Sequence, residues 1–129
     1  MNQNNSQPLE GTKLQNFEPG QTVTELQVID IKEGKGDLVQ PNATIRAHYT
    51  GALVSSGVIF QSSHDFGDPI TFGLNQVIAG WTNGVPGMKV GGTRRLVIPA
   101  SQAYGSSSPS PNIPANSNLV FDIELVNII

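Results

Sequence analysis

Leu119-Val120-Phe121-Asp122-Ile123-Glu124-Leu125-Val126 is the stretch from which the fold is read most directly. Side chains alternate across an extended chain, so Leu119, Phe121, Ile123 and Leu125 share one face. Asp122 and Glu124 lie on the opposite face with Val120 and Val126. This predicts a half-buried antiparallel strand with the core on its odd-numbered side.

Working outward, residues 92–98 alternate in the same way. Thr93, Arg95 and Val97 fall on one face, while Arg94, Leu96 and Ile98 fall on the other. Residues 44–53 are rich in β-formers and follow the turn pair Pro41-Asn42. Short β-like runs at 58–61 and 70–74 flank a loop holding Gly67 and Pro69, and residues 24–32 form a further strand that ends at Gly34-Lys35-Gly36. Only residues 77–88 suggest a helix, and Gly80, Gly84, Pro86 and Gly87 keep it short. The pattern is an α+β domain: a twisted antiparallel sheet with one short helix on its concave face. The longest loop, residues 100–117, carries Tyr104-Gly105, a serine run and three prolines; loops of that length are commonly functional or disordered.

The 129 residues suffice for one domain and not comfortably for two. Residues 1–22 are polar and lack a sustained apolar period, which predicts a flexible leader or linker before a domain at 23–129. Phe17 is the one aromatic in it, and a lone aromatic in a tail is more often exposed than docked. Cysteine is absent, which removes disulfides, thiolate metal sites and a cysteine nucleophile. Seven basic residues stand against ten acidic ones with no basic stripe, contrary to the pattern of a nucleic-acid binder. No apolar stretch approaches a membrane span. The compartment stays open.

Conventional catalytic constellations are missing. His48 and His64 are the only histidines and do not sit at metal-ligand spacing, and no serine lies in a nucleophile elbow. An enzyme with this sequence works without acid, base, nucleophile, metal or cofactor. What remains is a set of aromatics beside turns: Tyr49, Phe60, Phe72, Trp81, Tyr104 and Phe121. Each, taken singly, reads as core.

The phrases around them are more specific. His48-Tyr49-Thr50-Gly51, Gly57 to Phe60 with Ser62-Ser63, and Val77-Ile78-Ala79-Gly80-Trp81 occur in that order. Met88, Gly91-Gly92, Ile98-Pro99, Ala103-Tyr104-Gly105, Ile113-Pro114 and Leu119-Val120-Phe121 complete the series. The chain resembles the FKBP-type peptidyl-prolyl cis/trans isomerases over residues 23–129. The shortened segment from Leu74 to Val77 is closer to the bacterial macrophage-infectivity-potentiator-like members.

That resemblance implies a five- to six-stranded antiparallel half-barrel around a short helix, with a proline pocket between them. It implies Trp81 as the pocket floor, with Tyr49, Phe60, Val77, Ile78 and Phe121 as walls. Tyr104 would offer its hydroxyl to a substrate carbonyl and Ile78 its backbone N–H, and Ile113 would overhang the rim. Phe72 is assigned to the core. Four positions depart from the family: Gln61 stands for an aspartate, Phe66 for a basic residue, Ile70 for an aromatic wall and Asn112 for an apolar rim residue. The rim is therefore expected to be less charged and less aromatic.

The activity so implied is rotation about X-Pro bonds in folding polypeptides. The alternative is a catalytically weak, chaperone-like module that holds proline segments. Expected partners are proline-containing polypeptides and rapamycin-type macrolides, bound by a monomer.

Overall fold

The alternating stretch at residues 119–126 occupies the middle of the sheet. In the computed structural model, which describes residues 7–129, it forms β6 (Leu119–Ile128). The other strands are β1 (Gln27–Lys32), β2 (Thr44–Leu53), β3 (Ile59–Ser62), β4 (Ile70–Gly73) and β5 (Thr93–Ile98). Their order is β1-β5-β6-β2-β3, with β4 also paired to β2, and every pairing is antiparallel. β3 pairs with β2 at Thr50–Ala52 and β4 at Thr44–Ala47, so two short strands share one edge. The result is the expected open six-stranded sheet with one short helix.

Local sequence explains the turns between strands. Pro41-Asn42 makes the bend into β2: Ala43 N–H donates to the Gln40 carbonyl (3.2 Å) and Asn42 takes φ 66°. Asparagine tolerates that left-handed conformation better than most residues.

The helix is shorter than the expected 77–88. α1 spans Ala79–Gly84, because Val77 and Ile78 remain outside it (Ile78 ψ 149°) and Pro86 followed by Gly87 at φ 96° ends it. Gly80 lets α1 lie against the sheet, since a Cβ there would meet two Ile98 carbons at 2.6 Å. Arg94 closes the other end. Its Nη1 donates to the carbonyls of Gly84 (2.8 Å) and Pro86 (3.2 Å), and its Nε to Asp30 Oδ1 (2.7 Å). Around Trp81 and Val85 the concave face gathers Leu96, Ile98, Leu119, Phe121, Ile123 and Leu125 into the main core.

The opposite face departs from expectation. Val120 and Val97 are buried, in a second cluster with Ala52, Val54, Ile59, Leu14 and Val23, and with Phe17 packed against it. The reading of residues 1–22 as a flexible leader is thus corrected for residues 7–22; residues 1–6 lie outside the described residues. Lys13 bridges Val58 antiparallel, Gly11 N–H donates to the Ile59 carbonyl (2.8 Å), and Leu14 N–H donates to the Gly57 carbonyl (2.8 Å). Arg95 fastens the segment: Nη1 and Nη2 donate to the carbonyls of Asn16 (2.6 Å) and Gln15 (2.9 Å), while Nε and Nη2 grip Asp122 (2.6 and 2.8 Å). Its guanidinium also lies 5.6 Å from the Phe17 ring centroid, within cation–π range. The segment docks through single side chains and backbone hydrogen bonds, which leave no periodic signal. β6 is accordingly buried on both faces along Leu119–Phe121 instead of one.

Candidate functional site

Five elements converge on a cavity of ≈ 820 Å³ on the concave face. The first turn of α1 places Trp81 among its lining, and the indole is almost fully buried. Alternation along β2 and β6 brings Tyr49 and Phe121 to the same face, with ring centroids 5.8 and 5.4 Å from Trp81. Phe60 of β3 meets Phe121 edge-on at 5.8 Å. Such edge-to-face contacts suit aromatic rings, whose faces are electron-rich and whose edges are positive. Gly51 makes the meeting possible. A Cβ there would come within 2.6 Å of Phe60 and 2.7 Å of Phe121.

Val77 and Ile78 border the cavity from the extended segment ahead of α1. The other side is formed by the long loop, residues 99–118, which contributes Tyr104 and Ile113. This loop is internally braced. Ala100 N–H donates to Asn118 Oδ1 (3.0 Å), and Ser108 Oγ donates to the Ile113 carbonyl (2.7 Å). Ile113 is buried, whereas Tyr104 remains 38% exposed despite its aromatic ring.

Polar side chains, Tyr49 and Gln61 among them, share the lining with the apolar rings. Tyr49 Oη donates to Gln61 Oε1 at 2.6 Å, so Gln61 fixes the orientation of that phenol. Burial pushes the Tyr49 phenol above its ordinary value, and the nearby Tyr104 adds to the rise. Both act in the same direction, and Tyr49 therefore stays a neutral donor at physiological pH. The arrangement can seat an apolar ring on aromatic walls and offer a few hydrogen bonds at its margin.

Of the residues singled out from sequence, Tyr49, Phe60, Gln61, Val77, Ile78, Trp81, Tyr104, Ile113 and Phe121 all line this cavity. Ile70 does not. It is the first residue of β4, paired with Ala47, and it is exposed. Phe72, assigned to the core, lines the cavity as well as packing inward, with its ring 4.8 Å from Trp81 and 5.6 Å from Tyr49. Two residues further along β4 than Ile70, it takes the wall position expected of its neighbour. Phe66, which stands for a basic residue, is among the most exposed side chains. Gln76, Pro109, Ser110 and Glu10 also line the cavity and carried no sequence signal; Glu10 lay within the presumed leader.

Residues 36–126 match the family model described as FKBP-type peptidyl-prolyl cis-trans isomerase. The chain is 48% identical to peptidyl-prolyl cis-trans isomerase FPR2 of Saccharomyces cerevisiae over 90 residues, 68% of this chain and 67% of that protein. It is 41% identical to the FK506-binding protein of Streptomyces anulatus over 115 residues, 87% of this chain and 93% of that one. Among solved structures, FkpA from Escherichia coli superposes with a TM-score of 0.72 at 41% identity, covering 80% of this chain and 47% of the other. The chain thus spans two thirds or more of some relatives and less than half of another.

Proposed function

This chain belongs to the FKBP-type peptidyl-prolyl cis-trans isomerases, and from that premise we propose that the concave-face cavity is where it turns the X-Pro bond. Trp81 is the floor on which the prolyl ring sits, walled by Tyr49, Phe60, Phe72, Val77, Ile78 and Phe121. Tyr104 donates its hydroxyl to a substrate carbonyl, and the Ile78 backbone N–H supplies a second donor. The observation that carries this reading is the meeting of three aromatic rings, Tyr49, Phe72 and Phe121, around one indole beside the long loop.

Amide resonance sets a rotation barrier of ~18–20 kcal/mol, and unassisted isomerisation takes on the order of tens to hundreds of seconds. On twisting, the nitrogen loses conjugation and the carbonyl loses part of its charge separation. The planar amide is therefore the more polar form. Transfer from water to an apolar cavity raises the planar state more than the twisted one. A cavity shaped to the twisted imide adds preferential binding, and each ~1.4 kcal/mol of preference is worth about tenfold in rate. No proton moves between enzyme and substrate. Proline-containing chains during folding are the natural substrates, and a rapamycin-type macrolide occupies the same cavity.

The test is cis-to-trans conversion of a short Leu-Pro or Phe-Pro peptide, without metal or nucleotide. The folded protein at micromolar concentration accelerates it. A rate equal to the unassisted one would overturn the proposal.

A further inference from the structure

The expectation of a less charged rim overlooks one position. Leu9 N–H and Glu10 N–H donate to the two oxygens of Asp65 (2.7 and 3.1 Å), which anchors the backbone beside the loop after β3. The next residue, Gly11, is held by its bond to Ile59. Glu10 is thus fixed from both sides, and its side chain reaches across the mouth: Asn112 Nδ2 donates to Glu10 Oε2 at 3.3 Å. One carboxylate links the N-terminal segment to the tip of the long loop. Among the described residues, every other one lining the cavity is uncharged at neutral pH.

We propose that Glu10 determines specificity, making the isomerase favour peptides with a lysine or arginine flanking the proline and disfavour those with an acidic residue there. This rests on the cavity being the isomerase site. Gln61 and Asn112, the polar neighbours at the mouth, bring no charge to offset the carboxylate. Asp65, behind it, is also anionic. Lys13, the nearest basic residue along the segment, directs its Nζ to the Ser56 carbonyl (2.9 Å). A carboxylate beside low-dielectric aromatic walls acts on a nearby ligand charge more strongly than it would in open water. A lysine or arginine stem is long enough to lie along the apolar wall while its head reaches the mouth.

The experiment measures kcat/KM for matched peptides with Lys, Leu or Glu immediately before the proline, and for a second set with the same residues immediately after it. The expected order is Lys above Leu above Glu in at least one set, with Lys over Glu about tenfold at low ionic strength and about twofold at about 0.5 M salt. Glu10→Gln retains an acceptor for Asn112 and brings the Lys-to-Glu ratio to about one; Glu10→Lys inverts it. The ratio is taken on one sample, so a changed folded fraction does not move it. A wild-type ratio near one in both sets overturns the proposal, as does a ratio that survives in Glu10→Gln, even while Leu-Pro peptides turn over rapidly. Failure to accelerate any peptide overturns the isomerase site itself, and the role of Glu10 with it.

Discussion

The two faces of the sheet solve opposite problems. On the convex face Ala52, Ile59, Val97 and Val120 of the strands, with Val54 just past β2, form an aliphatic cluster that the N-terminal segment seals with Leu14, Val23 and Phe17. On the concave face the side chains are large rings that meet at their edges and leave a cavity open between them. Aliphatic, well-covered residues give closure. Rings that cannot collapse onto one another, held apart by α1 and a braced loop, give a pocket. Changes to the convex face should therefore act on stability and leave catalysis alone, and changes at the cavity margin should do the reverse.

The largest expected effect is at Arg95. Replacing it by Met strips Asp122 of its bidentate partner in a largely buried setting and frees the carbonyls of Gln15 and Asn16. Loss of one member of such a pair costs about 3 kcal/mol, a fall in melting temperature of about 10 °C for a domain of this size. Isomerase activity measured well below the transition should stay close to that of the parent. A melting temperature within a degree of the parent would show that the convex face is not held by this contact.

Leu14→Ala is the next test of the same face. Truncating a buried leucine costs about 2 kcal/mol or more, so calorimetry should show a fall of several degrees without loss of activity. A flexible leader would give no change. Tyr104→Phe probes the opposite side of the comparison. The residue is partly exposed, so melting should move little. Loss of one donor to the substrate carbonyl, about 1 kcal/mol, should lower kcat/KM by about fivefold. Equal falls in both quantities would erase the distinction between faces.

The smallest effect is spectroscopic. The chain holds two tyrosines, so in Tyr104→Phe the absorbance titration follows Tyr49 alone. Burial is the larger cause of its raised pKa, and the midpoint should remain above the ordinary value of about 10. The sign for stability follows. A phenol whose pKa is raised on folding contributes fully below the unfolded value, and that contribution is lost as pH climbs through the folded one. A midpoint at the ordinary value would mean that Tyr49 is not enclosed.

What could be read beforehand divides along the same line. β6 and β5 were legible because alternation imposes a period of two, β2 because β-formers follow the turn pair Pro41-Asn42, and the motif phrases around Tyr49, Trp81 and Tyr104 brought the cavity with them. The N-terminal segment was not. Leu14, Phe17 and Val23 are spaced without period, and the backbone bonds and Arg95 contacts that seat them leave no mark in local sequence. Glu10 was lost with that segment, since nothing in a polar leader announces that it crosses a cavity mouth. Ile70 and Phe72 were exchanged for a related reason. Two residues on one face of a short strand look alike until the fold places Phe72 in the cavity lining and leaves Ile70 exposed.

In the proposed binding mode, proline peptides engage the concave face and not the sealed one. The chain has a single tryptophan, so its indole N–H gives one assignable NMR signal at the proposed floor. Titrating a Leu-Pro peptide or a rapamycin-type macrolide should shift the Trp81 signal saturably, while the backbone amides of Leu14 and Phe17 stay still. Saturable binding that leaves Trp81 unmoved and displaces the convex-face amides would place the binding site on the wrong face of the sheet.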